Sequence, residues 1–99
     1  MIEVKIFLDE EDTYEHSKLY EYIMRYLMHN KIRGASVFQA FAGFGHKHHL
    51  HHQKGIGTTD ENPLMIMFID DNEKIKNVLP HIKELIKEGI IIKENVELA

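Results

Sequence analysis

Leu64-Met65-Ile66-Met67-Phe68-Ile69 is an unbroken apolar run that stops at the acidic pair Asp70-Asp71. Its length is that of a strand and short for a buried helix. In a strand, Leu64, Ile66 and Phe68 share one face, and Met65, Met67 and Ile69 share the other. This strand is therefore apolar on both faces. Downstream, Asp70-Asp71-Asn72-Glu73 opens a helix whose apolar stripe is Ile75, Val78, Leu79, Ile82, Leu85 and Ile86. Pro80 lies inside that stripe and predicts a kink or an early break. Gly89 fits the helix stop, and Ile90–Leu98 follows as a last strand.

Upstream, residues 46–62 carry no regular pattern, and a structureless segment of that length in a small domain is usually functional or disordered. Before it, Gly34–Ala42 reads as a strand stopped by Gly43-Phe44-Gly45. From about 15 to 30, Leu19, Tyr20, Ile23, Met24, Leu27 and Met28 recur at helical spacing, and Asn30-Lys31 ends the run. Acids at its start suit the helix dipole. Residues 2–8 set Ile2, Val4, Ile6 and Leu8 against Glu3, Lys5 and Phe7, a strand with one apolar face.

The order is β-α-β-β-α-β, an α+β ferredoxin-like sandwich with two helices on one face of a four-stranded sheet. The 99 residues suit one domain, 1–99. Helices cover only one sheet face, so the second apolar face of Leu64–Ile69 needs another cover. A homo-oligomer packed sheet to sheet is the simplest answer.

Composition narrows the function. Twelve Lys and Arg against sixteen Asp and Glu give a net charge of −4, the wrong sign for a general nucleic-acid binder. The absence of cysteine excludes disulfide scaffolds, thiolate metal sites and cysteine nucleophiles. The N-terminal strand is neither a signal peptide nor a membrane span, so a cytoplasmic location is expected. No nucleophile–base pair sits in a known motif, and Ser17 and Ser36 lack a flanking elbow, so no enzyme is expected. The acidic run Asp9–Asp12 lacks the glycine and spacing of an EF-hand and reads as a solvated connection.

Histidine is the outlier. Five of the eight histidines fall between positions 46 and 52: His46, His48, His49, His51 and His52. Imidazole is the commonest transition-metal ligand, so this loop is a candidate site for zinc, nickel or copper, and hence for a metal-binding or metal-sensing protein. The bland alternative is a solvated loop rich in histidine by drift. A third reading is pH sensing, because clustered imidazoles titrate together near pH ~6.5. Lys47 and Lys54 are the lysines in the same segment, and Lys5 reads as the polar face of a strand.

Four short motifs then carry a resemblance. They are Leu19-Tyr20, Gly43-Phe44-Gly45, Leu50-His51 and Glu94-Asn95-Val96-Glu97, set in the β-α-β-β-α-β order over residues 1–98. The stretch Ile32–Val37 leading to Gly43-Phe44-Gly45 resembles the second strand of PII signal-transduction proteins, where the same tripeptide leads into a long T-loop. The whole chain is more similar still to a small PII-like branch held as a domain of unknown function. The resemblance implies a homotrimer of ferredoxin-like protomers with a T-loop at about 44–62. It implies an adenine nucleotide in clefts between neighbours and a regulated partner, a membrane transporter or an enzyme.

Matched by motif, the nucleotide contacts would be Gly34, Ser36, Gly43, Phe44, Gly45, His46, Lys47, Leu64 and Gly89. The departures also speak. His46 stands where PII proteins have a basic residue, the loop after the second helix is shortened to Glu88-Gly89-Ile90, and the arginines of the PII C-terminal segment have no counterpart. A triphosphate would be poorly neutralised, so AMP or ADP is expected ahead of ATP. Residues 46–62 also lack the tyrosine that some PII proteins modify.

Overall fold

The computed structural model of the chain describes residues 1–44, the backbone of His51 and His52, and residues 62–99. The main sheet holds β1 (Ile2–Asp9), β4 (Ala35–Gln39), β7 (Pro63–Asp70) and β8 (Ile90–Asn95). Their spatial order is β4-β7-β1-β8, all antiparallel. Two helices, α1 (Leu19–His29) and α2 (Asn72–Leu85), complete the ferredoxin-like sandwich. Two short ribbons are added: β2 (Thr13–Tyr14) with β3 (Ser17–Lys18), and β5 (Ala42–Gly43) with β6 (His51–His52).

The core is the one the alternation predicts. Val4, Ile6 and Leu8 of β1 and Leu64, Ile66 and Phe68 of β7 face Leu19, Ile23 and Leu27 of α1 and Ile75, Val78, Leu79 and Ile82 of α2. Each is nearly or fully buried, which is worth about 1.5–3 kcal/mol per large side chain before entropy is charged.

The other sheet face carries no helix among the described residues. The register sets Phe38, Met65, Phe7 and Ile90 side by side across all four strands. The next row on that face is Ser36, Met67, Lys5 and Ile92. Phe7, Phe38, Ile90 and Ile92 are 39, 47, 59 and 45% exposed. Lys5 and Glu3, on this face, pair at 3.7 Å.

Four expected boundaries shift. The first helix was expected from about residue 15 and begins at Leu19, because Tyr14–Ser17 turns a hairpin instead. Glu15 and His16 both take positive φ (46° and 68°), the pattern of a type I′ turn without its usual Asn or Gly. The strand expected over 34–42 is split into β4 and β5 at Ala40-Phe41. The last strand ends at Asn95, and Val96 makes one further backbone bond to the Met1 carbonyl, at 3.0 Å. The break expected at Pro80 does not occur: α2 runs on to Leu85. Pro80 sits on the solvent side, where water can satisfy the Lys76 carbonyl it leaves unbonded.

The end of α1 is a Schellman turn. Ile32 N–H donates to the Leu27 carbonyl and Lys31 N–H to that of Met28, both at 3.1 Å, with Lys31 at φ 65°. Gly89 is not the stop of α2, which ends at Leu85 with Ile86 as its C-cap. Its φ is +147°, and an added Cβ would lie 2.4 Å from the Phe7 carbonyl oxygen. Glycine is needed there because the backbone crosses close to β1.

Candidate functional site

The candidate contacts divide between the two ends of the sheet. Gly34 immediately precedes β4, and Ser36 is its second residue, paired with Met67. Gly43, Leu64 and Gly89 lie at the opposite end, where β1 finishes and the 44–62 segment begins and returns. Ser36 and Gly43 are seven residues apart, up to about 23 Å along extended chain.

At the loop end the backbone is tied in several places. Gly43 pairs with His51 and Ala42 with His52, closing the stem of the segment. Ala40 N–H donates to the Pro63 carbonyl at 2.9 Å. Asp9 Oδ2 accepts Asn62 N–H at 2.9 Å, while Glu10 N–H donates to the Asn62 carbonyl at 2.9 Å. Gln39 Nε2 donates to Glu10 Oε1 at 3.1 Å. The acidic run Asp9–Asp12 is thus a clamp on both stems of the segment and not only a solvated link. The sequence signal for it is weak, since Asp and Asn side chains bond local backbone in many turns.

Of the residues expected here, Phe44 is exposed, and Leu64 is buried in the core so that only its backbone can meet a ligand. Gly43 has room for a Cβ, 3.8 Å from Pro63 Cγ, and Gly34 has nothing within 4 Å. Gly89 alone of these three is required by local geometry. Gly45, His46, Lys47, His48, His49 and Lys54 lie outside the described residues. Among the described residues, no three His, Asp or Glu side chains are placed to hold a metal ion, so the metal reading gains no support. Among them, too, no helix is long and apolar enough to cross a membrane.

Two features at the β4 end were not anticipated. Asp70 is fully buried and accepts backbone N–H groups from Arg33 (2.9 Å) and Asp71 (2.7 Å). Arg33 Nη2 and Lys74 Nζ approach it at 3.5 and 3.8 Å. Burial pushes the Asp70 carboxyl up, but the two backbone donors, then Lys74 and Arg33, outweigh it and hold the group below its ordinary value. The alternation Leu64, Ile66, Phe68 carries on to Asp70, which is the signal that a carboxylate faces inward. Beside this anchor a cavity of about 380 Å³ opens between the end of α1 and the start of β4. Met24, Met28 and Ile32 line it together with Arg25 and Arg33.

Comparison with known proteins places this architecture. The family described as DUF190, Uncharacterized ACR, COG1993, matches residues 1–98. A UPF0166 protein of Aquifex aeolicus is 32% identical over 95 residues, spanning 96% of this chain and 90% of the relative. A UPF0166 protein of Methanocaldococcus jannaschii is 33% identical over 96 residues, spanning 90% of this chain and 82% of the relative. Among solved structures, CPII of Thiomonas intermedia K12, a nitrogen regulatory PII-like protein, superposes with a TM-score of 0.61. That alignment covers 98% of this chain and 86% of CPII at 13% identity, and CPII was solved bound to ADP, AMP and bicarbonate. A second CPII structure, with ADP and bicarbonate, gives 0.60 at 14% identity.

Proposed function

The chain belongs to the DUF190 family, a PII-like branch, and from that premise we propose that it is a regulatory protein binding AMP or ADP in clefts between the subunits of a homotrimer. Residues 1–99 act as one PII-like domain, with 44–62 as the T-loop that meets a partner protein, a transporter or an enzyme, in the cytoplasm. The observation that carries the reading is the placement of the candidate contacts. Gly34 and Ser36 stand at one end of β4, while Gly43 and Gly89 stand at the other end of the sheet. Only a neighbour's loop base brought to the first protomer's β4 assembles them into one site. Adenine nucleotides bound to CPII, which shares the fold, support the ligand class.

The assembly is supported by the uncovered sheet face. Phe38, Met65, Phe7 and Ile90 form an apolar row that no element among the described residues covers. Covering it removes apolar surface at about 25 cal/mol per Å². Lys5 and Glu3 are already paired on that face, which lets them enter an interface without an orphan charge.

The chemistry asked of the site is recognition and not bond making. Backbone N–H groups at Gly43 and Gly89 can approach a phosphate or purine closely, and Ser36 offers a hydroxyl. His46 and Lys47, in this proposal, meet the phosphates. With so little fixed positive charge, a third phosphate is poorly matched. Calorimetric titration with AMP, ADP, ATP and cyclic nucleotides tests the reading. AMP or ADP should bind more tightly than ATP; failure of all of them at millimolar concentration would sink it.

A further inference from the structure

We propose that Phe41 of one copy inserts into the groove between α1 and the start of β4 of the next. The inference rests on the assembly proposed above, in which a neighbour's loop base meets the start of β4, and names the contact that seats the two together. Phe41 stands at the break between β4 and β5, next to the Ala42-Gly43 pair of β5. It is 63% exposed. The backbone on both sides of it is tied: Ala40 N–H donates to the Pro63 carbonyl at 2.9 Å, and Ala42 pairs with His52. A large ring is thus held out to solvent on a fixed base, so little ordering entropy is lost when it is buried.

The groove suits an aromatic ring. Met24, Met28 and Ile32 make its apolar wall, with Met28 67% exposed. Its volume is about 380 Å³. An apolar protein cavity of roughly 150 Å³ already holds a benzene ring. Thioether sulfur against a ring edge is favourable, and methionine side chains adapt to the shape they receive. Arg25 and Arg33 also line the groove, and a guanidinium over a ring face adds a cation–π contact. Aromatic residues, Met and Arg are the types enriched at the centres of protein interfaces.

Charge agrees with this meeting of unlike ends. Beside Phe41 the loop base is acidic: Asp9 and Glu10 clamp its stems, and Glu10 accepts a bond from Gln39 at 3.1 Å. At the groove, Arg25 is exposed and has no ion-pair partner among the described residues. Arg33 leaves half of its side chain open beside Asp70. Carboxylates at one end therefore meet guanidinium groups at the other. A chain cannot fill its own groove with Phe41, because the two lie at opposite ends of β4, whose Ala35 and Gln39 are about 13 Å apart. Contact between unlike ends is heterologous, the class that closes into rings. Gly34 lines the same groove, so a seated Phe41 carries the neighbour's Gly43 toward it and sets the width of the proposed nucleotide cleft.

Replacing Phe41 by p-benzoylphenylalanine keeps the ring and lets light join it to neighbouring C–H groups, those of methionine above all. The irradiated protein should run on a denaturing gel as covalent multimers, with the label on the tryptic peptide Tyr26–Lys31 that carries Met28. In parallel, Phe41→Ala should weaken assembly at least about tenfold in sedimentation, with an unchanged far-UV spectrum. An oligomer that cross-links only outside α1 and the start of β4, or a Phe41→Ala variant that assembles as tightly as wild type, overturns the contact and leaves the proposed assembly standing. Cross-linking at Met28 in an oligomer that binds no adenine nucleotide upholds the contact and sinks the ligand reading alone. A wild-type protein that sediments as a single chain at all concentrations overturns the assembly, and this contact with it.

Discussion

The carboxylate of Asp70 accepts the backbone N–H of Arg33 at 2.9 Å, joining the end of β7 to the turn that leads into β4. The same carboxylate takes the N–H of Asp71, the N-cap of α2, whose own side chain accepts Lys74 N–H at 3.0 Å. One side chain thus holds together a central strand, an edge strand and a helix start. Its cover is thin, since Arg33 and Lys74 beside it are 52 and 40% exposed.

Replacing Asp70 by Ala strands two backbone donors, so denaturant unfolding should show a loss of about 3 kcal/mol. Asp70→Asn, which keeps one acceptor oxygen, should lose less.

The pH dependence of this anchor has a definite sign. The folded Asp70 carboxyl lies below its ordinary value, which is about 3.9 in an unfolded chain. Its contribution is fully present above that pH and is lost as pH falls through the folded value. The stability gap between wild type and Asp70→Asn should therefore be constant from neutrality to about pH 5 and narrow toward pH 2. A gap that widens on acidification would contradict the assignment.

Gly89→Ala forces a Cβ to within 2.4 Å of the Phe7 carbonyl at φ +147°. Thermal unfolding should fall by more than about 1 kcal/mol equivalent. Gly34→Ala meets nothing within 4 Å and should leave stability within about 0.5 kcal/mol of wild type. If Gly34 lines a nucleotide cleft, that same variant should still weaken ADP binding.

Lys31 caps α1 at φ 65°, a conformation that costs a side-chain-bearing residue about 1 kcal/mol. Lys31→Gly should raise the midpoint of unfolding. The bond from Lys74 Nζ to the residue 31 carbonyl, 2.9 Å, does not depend on the side chain and should persist.

β1, β7 and both helices were legible because each buries one periodic apolar face, whereas β4 and β8, edge strands with no fully buried residue, were legible from the glycines that bound them. The two-sided pattern of Leu64–Ile69 also announced the uncovered sheet face. The Tyr14–Ser17 hairpin was not legible: type I′ turns are recognised by Asn and Gly, and here the turn residues are Glu15 and His16. Its support comes instead from Tyr14 packing on Tyr22, 4.6 Å between ring centres, and from Lys18 bonding Glu11 at 2.8 Å. Pro80 misled because a proline on the wet side of a helix costs less than one facing the core. The site was legible as a set of motif residues and not as a place. Gly34 and Gly43 are near in sequence yet lie at opposite ends of a sheet, a separation that only the strand register makes visible.

The most direct test compares ADP binding by the assembled protein and by a single chain. Phe38→Lys puts a charge into the apolar row of the open face, away from the core, and should sediment as a monomer with an unchanged far-UV spectrum. The account predicts that wild type binds ADP at one site per subunit and that the monomeric variant loses at least about tenfold in affinity, equivalent to 1.4 kcal/mol. Equal affinity in both forms, or no binding by the oligomer, would contradict a site built between subunits.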